Sequence, residues 1–303
     1  MSASLPPDHD RRMALVDQAT HGLSIGDAFG ARFFQGDASQ PIREQRLPEP
    51  PWPTTGETEL ALGLRDALEA EGQVDTTVLA ATLARRYRDR PDRSFGLMTR
   101  EILRLVQAGR PWWEASRAAA GPLGSPGNGA ASRAALVGAY FHDDLDRLIH
   151  EASSAAMVTH AHAEGQAGAV AVALAAAWVT RRRAGAERQL DLLRFVTSRT
   201  PASDTRLGLE EACALPEPIR VTDAADALGC GLSMLAADTV PFALWCASRS
   251  PADLPEALWR AVAGLGARSV TCAIVGAVVA LSGGGRALPP DWLSAREPLL
   301  LYP

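Results

Sequence analysis

AEGQAGAVAVALAAAWV (163–179) and VTCAIVGAVVAL (270–281) decide the fold. Both are dominated by Ala and Val and carry no regular alternation of polar positions, so a half-buried strand does not account for them. A bilayer span does not either: the second is too short, and the first contains Glu164 and Gln166 and owes its length to weakly apolar Ala. A helix that is apolar on every side belongs inside a bundle, surrounded by other helices. Working outward, the rest of the chain reads as helix after helix, with almost no β-branched alternation. The sequence therefore predicts an all-α, compact single-domain helical bundle.

Helix boundaries follow from capping chemistry. Asp75, Asp143 and Ser250 each precede a helical run and supply a short side-chain acceptor for free first-turn N–H groups, with Pro251 at the first helical position. Gly109 and Gly264 mark helix ends. Three loops rich in Gly, Pro, Asn or Thr each open a helix: PEPPWPTTGET (48–58), GPLGSPGNGAASR (121–133) and GLGARSVT (264–271). If those N-termini gather at one end of the bundle, their unpaired N–H groups and positive dipole ends converge on a cleft that favours anions. With no internal repeat and no low-complexity linker, we read one domain over residues 11–303 behind a loose N-terminal tail, residues 1–10.

Composition narrows the partners. The 303 residues are 47% hydrophobic, enough for a large core, and carry a formal charge of −5. All 30 basic residues are Arg, with no basic stripe for a phosphate backbone, so no nucleic acid and no membrane is expected as a partner. The start, MSASLPPDHDRR, lacks an apolar signal core, which leads to a cytoplasmic expectation. Cys213, Cys230, Cys246 and Cys272 are too widely spaced for a CxxC pair and are read as small core hydrophobes.

The loops and their neighbours, in order, resemble the ADP-ribosylglycohydrolase family, which includes the dinitrogenase-reductase-activating glycohydrolases. The resemblance rests on GLSIGDAFGARF (22–33), TTGETELAL (54–62), GNGAASRAA (127–135), THAHAEGQAGA (159–169), ADTVPFALW (237–245), GARSVTCAIVGA (266–277) and a closing PPDWL (289–293). It implies a compact helical fold and a small-molecule ADP-ribosyl or N-ribosyl ligand. It also implies two Mg²⁺ ions held between a Thr-Asp-Asp-Thr loop and a Gly-Gly-Asp-Thr-Asp-Thr loop. Here Thr55, Gly56, Glu57 and Thr58 stand at the first, and Ala267, Arg268, Ser269 and Val270 replace Asp-Thr-Asp-Thr at the second. A further acidic position of the family falls at Phe34. Two Mg²⁺ bring four positive charges that hard oxygen ligands must offset, and these changes move the ligand charge from minus four to roughly zero. No metal and no cofactor is therefore expected, and the metal motifs read as degenerate.

The candidate site follows from these matches. Glu57 is the best remaining acid or base, although a first-turn Glu is also what a helix dipole favours in inert proteins. Asp27 is the second catalytic candidate, or else a buried Asp satisfied by backbone donors. Ligand-binding candidates are Thr55, Gly56, Thr58, Gly127, Asn128, Gly129, His160, Ala267, Arg268 and Ser269. Gly127, Asn128 and Gly129 form a donor-rich bend suited to a ribose or diphosphate, or an ordinary turn. His160 matches the family's Thr-His, while His160 and His162, two apart, diverge on a helix and make a poor chelating pair. Arg268 can replace part of the lost cation charge or sit on the surface. Trp52 and the pair Trp112 and Trp113 can stack on a base or fill the core. The function expected is cleavage of an N-glycosidic bond without the usual Mg²⁺ pair. The alternatives are an inactive pseudo-hydrolase that binds ADP-ribose or a related nucleotide, and a structural partner protein.

Overall fold

Helix α9 (Ala163–Arg183) runs through the interior with every residue from Ala167 to Thr180 buried, and it stops where three arginines, Arg181 to Arg183, complement its negative end. It is the first of the two apolar stretches; the second forms α15 (Arg268–Ala280), buried from Val270 onward. The computed structural model describes residues 5–34, 36–283 and 287–301. Around these two helices stand α1 (His9–Ala31), α2 (Ser39–Arg43), α3 (Gly56–Glu71), α4 (Thr76–Asp89), α5 (Leu97–Gln107), α6 (Trp112–Ala120), α7 (Gly129–Tyr140) and α8 (Leu145–Met157). The remainder are α10 (Leu192–Thr197), α11 (Asp204–Ala214), α12 (Val221–Leu228), α13 (Val240–Arg249), α14 (Leu254–Val262) and α16 (Pro290–Ala295). Among the described residues there is no strand, only two isolated bridges, and the protein is a single all-α domain.

Close approach of backbones sets the central packing. A Cβ placed on Gly22, Gly26 or Gly30 of α1 would lie 2.2 Å from the Gly276 carbonyl oxygen, 2.0 Å from that of Cys272 and 2.3 Å from that of Arg268. α1 and α15 are thus antiparallel and pressed together along a stripe of glycines spaced four apart, a spacing that keeps them on one helix face. Gly138 of α7 meets Ala173 of α9 in the same way, 2.0 Å from its carbonyl oxygen. The C-terminal segment closes the site loop: Trp52 pairs with Ala295 and Glu297 through backbone bonds of 2.7 and 3.0 Å, and Glu297 accepts from the Thr54 amide and hydroxyl. Trp52 is buried against Phe29 and Trp292 with its indole N–H on the Pro48 carbonyl, so it is a core residue.

Several boundaries differ from the sequence reading. Asp75 caps α4 as expected, accepting from Thr77 and Val78. Helix α8 is capped by Asp144, not Asp143; Asp143 instead takes a bidentate ion pair from Arg12. Helix α14 is capped by Asp253, with Pro255 in its first turn, three residues beyond the expected Ser250 start. In both cases two acceptors stand near one helix start and an arginine takes the other one: Arg12 across the fold for Asp143, and Arg260 of α14 itself for Ser250. Cys230, Cys246 and Cys272 are buried, but Cys213 is exposed on α11, against expectation. Of the tail expected to be loose, residues 1–4 lie outside the described residues, whereas α1 begins at His9, whose ring bonds the Tyr140 hydroxyl at 2.8 Å. No helix among the described residues is long and apolar enough to cross a membrane.

Candidate functional site

Asp27 organises the start of α3. It projects from α1 beside the glycine stripe, is fully buried, and accepts four hydrogen bonds: from the Thr55 amide (2.8 Å) and hydroxyl (2.7 Å) and the Thr58 amide (3.3 Å) and hydroxyl (2.6 Å). Burial raises its pKa, and the four donors pull it back. Thr55 in turn caps α3 by accepting from the Glu57 amide. The TTGET turn is therefore held on both sides, with Thr55 and Thr58 spent on Asp27 and Thr54 on Glu297.

Glu57 projects from that turn toward α7 and accepts a short hydrogen bond from the Ser132 hydroxyl. It is partly exposed as a residue, yet its carboxyl is crowded enough that burial raises its pKa to about 7. The Ser132 bond and the charge of Arg133 oppose that rise, while the charge of Asp27 adds to it. A carboxyl that titrates near neutrality can give or take a proton under working conditions.

The α7 start supplies the opposite wall. The Asn128 amide bonds the Met234 carbonyl at 3.0 Å and its side chain donates to the Thr239 hydroxyl at 2.9 Å, so Asn128 is buried and its side chain holds the neighbouring loop. His160 packs its imidazole against Gly127 and Gly129; a Cβ on either would lie 3.1–3.3 Å from ring atoms. Burial, with help from the Arg133 charge, lowers the His160 pKa to about 3. His162 caps α9, accepting from the Glu164 amide at 3.1 Å, and takes no part in the site.

The third loop reaches the same neighbourhood through Gly231, whose Cβ would meet Ala267 Cβ at 2.6 Å and Thr239 Oγ1 at 3.0 Å. The chain of contacts from Asn128 through Thr239 and Gly231 to Ala267 joins the start of α15 to that of α7, as Glu57 and Ser132 join α3 to α7. Neither Asn128 nor Ala267 caps its helix with a side chain, and the first amide of α15, that of Arg268, bonds the Gly266 carbonyl at 2.8 Å. Arg268 is committed elsewhere. It donates a short bond to the Phe33 carbonyl, and its guanidinium carbon lies 4.4 Å from the Phe34 ring centroid. Ser269 stands beside Gly30, partly exposed.

Trp112 and Trp113 lie apart from this cluster and line a hollow of about 280 Å³ with Leu123 and Met157. A larger cavity, about 340 Å³, is also remote, between α9, α10, α11 and α13. Two residues of the site proper escaped the sequence reading as individuals, Ser132 and Arg133, although both sit in the GNGAASR segment. The available signal was a charged residue in an otherwise apolar helix, AASRAALVGAY, which must be buried there.

These residues do not make a ligand set for two hard cations. Asp27 is enclosed and its oxygens are occupied by four donors, Glu57 already accepts from Ser132, position 267 has no side-chain oxygen, and position 268 is a cation. Among the described residues no three His, Cys, Asp or Glu side chains gather as a metal-holding group. Asp238 is occupied as well, accepting from the Ser233 amide and hydroxyl at 2.6 Å each.

Comparison with known proteins agrees with the geometry. The sequence profile of the ADP-ribosylglycohydrolase family matches residues 8–300. An uncharacterized protein of Archaeoglobus fulgidus is 29% identical over 286 residues, covering 90% of this chain and 88% of that protein. A solved ADP-ribosylglycohydrolase-related protein complex contains a chain that superposes with a TM-score of 0.66 at 25% identity, over 95% of this chain and 94% of the other.

Proposed function

We propose, for a chain that belongs to the ADP-ribosylglycohydrolase family, that it hydrolyses the N-glycosidic bond of an ADP-ribosyl or related N-ribosyl compound with Glu57 as its acid and base and without a Mg²⁺ pair. The observation that carries this reading is the Glu57 carboxyl with a pKa near 7 at a junction of three helix N-termini. Glycosidic cleavage passes through an oxocarbenium-like state, which needs a proton for the leaving nitrogen, a water and nearby negative charge. Protonated Glu57 supplies the first. Once ionised, the same group stabilises the cation and takes the proton from the attacking water, so protons balance over the cycle. Thr55 and Thr58 fix the turn that carries Glu57 through their bonds to Asp27, while Ser132 bonds the Glu57 carboxyl itself. With the Gly127 amide on Ser125 and the Asn128 amide on Met234, the Gly129 amide and the His160 ring are the donors that support binding of the sugar and phosphates at the Gly127–Gly129 bend.

A second reading, ligand binding without turnover, is favoured by one observation: Asp27, the other candidate acid, is locked by Thr55 and Thr58, leaving Glu57 to act alone. Incubation with ADP-ribosyl-arginine and a panel of N-ribosides, each in EDTA and in Mg²⁺, read by mass spectrometry, separates the two. Release of the free base or guanidine in EDTA supports hydrolysis. Intact substrates together with ligand-induced thermal stabilisation support the binding reading.

A further inference from the structure

Arg133 is a buried cation that feels the charge of Glu57 but makes no direct contact with its carboxylate. Its residue exposure is 1%, and no ion pair reaches it among the described residues. One terminal nitrogen donates to the Gly129 carbonyl at 2.9 Å and the other to the Thr159 hydroxyl at 2.7 Å, while its Nε has no partner. Leaving a guanidinium in such a place is costly unless its position is used.

The hydrogen-bond arithmetic beyond it has one self-consistent solution. Arginine only donates, so the Thr159 oxygen accepts from Arg133 and retains a single proton to place. Thr159 is fully buried, and its only other polar contact among the described residues is His160 Nδ1, 2.8 Å away. If Nδ1 carried a proton, the Thr159 hydroxyl would accept twice and its own proton would be orphaned in the core. The hydroxyl therefore donates to Nδ1, and the ring proton sits on Nε2. That nitrogen faces the bend, 3.3 Å from where a Cβ on Gly127 would stand and 3.2 Å from one on Gly129.

We infer that Arg133 is a positioning residue: acting through Thr159, it holds His160 as the neutral tautomer with an Nε2–H donor turned to the Gly127–Gly129 bend. A doubly protonated ring would have to donate from Nδ1 into a hydroxyl already polarised by Arg133. The same guanidinium fixes the Gly129 carbonyl, so one side chain sets the bend and the ring beside it. This deepens the proposed site, since a neutral donor suits an acceptor oxygen of a ribose or phosphate, and it rests on that reading only for the identity of the ligand.

Nitrogen-15 NMR of histidine-labelled protein tests it without any substrate, with His160 assigned by the resonance lost in His160→Asn. The expected wild-type pattern is an unprotonated Nδ1 and a protonated Nε2 that do not titrate between pH 8 and 5. Thr159→Val removes the donor and should give a mixture of tautomers and a midpoint moved toward the ordinary histidine range; Thr159→Ser should restore the wild-type pattern. Arg133→Gln should raise the midpoint in the same direction, and if that variant fails to fold, the two Thr159 variants still decide. A wild-type Nδ1–H tautomer, or a Thr159→Val pattern equal to wild type, overturns the inference. A protein that shows the expected pattern but hydrolyses nothing overturns the hydrolase reading alone.

Discussion

Glu57 carries more of the functional argument than any other residue, and its environment makes a signed prediction. Its folded pKa, about 7, lies above the ordinary value of 4.5, so the folded state holds the proton more tightly. The associated stability is fully present below pH 4.5 and is lost as pH rises through about 7. For a partly exposed carboxyl the loss is on the order of 1–3 kcal/mol, and Glu57→Gln should flatten that limb when denaturant midpoints are compared at pH 4.5 and 8. The same variant should retain ADP-ribose binding by thermal shift and lose at least about 100-fold in any hydrolysis rate. His160 works in the opposite sense: its pKa of about 3 lies below 6.5, so the stability of its neutral burial is lost as pH falls through that range. Comparing Glu57→Gln with wild type at each pH cancels the histidine contribution. Arg268 gives a second residue-scale test. Phe34 occupies a position where the family resemblance implies an acid, Arg268 the position between two more, and here they stack on each other. Arg268→Ala should cost about 1–2 kcal/mol through the lost carbonyl bond and cation–π contact. Undiminished ADP-ribose stabilisation in that variant would identify Arg268 as a clamp on the 32–34 turn; a reduced shift would return it to the ligand site.

At the scale of helices, the glycine stripe of α1 explains why Asp27 reaches α3 at all. Gly22, Gly26 and Gly30 let α1 lie directly on the α15 backbone, and Asp27, one position past the stripe, is carried to the adjoining face where Thr55 and Thr58 wait. Gly26→Ala puts a methyl 2.0 Å from a backbone oxygen that no side-chain rotation can relieve. The expected cost is about 2–3 kcal/mol or more, read as a lower denaturant midpoint, together with weakened ligand binding as the TTGET turn shifts. This level was partly legible in the sequence. The apolar helices α9 and α15 and the Asp75 cap were readable because composition and local chemistry decide them. The caps at Asp144 and Asp253 were not, because Asp143 and Ser250 are equally good local acceptors; Arg12, distant in sequence, takes Asp143, and Arg260, on α14 itself, donates to Ser250. Ser132 and Arg133 were hidden for a related reason: what they touch, Glu57 and Thr159, is fixed by how α7 crosses α3 and by the turn before α9, neither of which a sequence period encodes.

Across the whole molecule, the proposed site has to balance the charge of a diphosphate if ADP-ribose is its ligand. Three helix N-termini meet there, each equivalent to roughly half a positive charge, and Arg133 adds a full one behind the Gly129 carbonyl. Against them stand Glu57, which is about half ionised at neutrality, and Asp27, which is enclosed by four donors. A diphosphate can be accommodated by that balance with no added cation, whereas a pair of Mg²⁺ would need carboxylates the site lacks. ADP-ribose should therefore stabilise the protein equally in EDTA and in Mg²⁺. At free ligand about one hundred times the dissociation constant, the linkage relation gives roughly 2.7 kcal/mol, and at about 2–4 °C per kcal/mol for a chain of this size the melting shift is readily measured. Stabilisation that needs Mg²⁺ would mean that Glu57 and other side chains rebuild a metal site on binding, and calorimetric titration would then show tight uptake of the ion. No stabilisation in either condition would remove ADP-ribose as the ligand and leave the structural-partner reading of the fold.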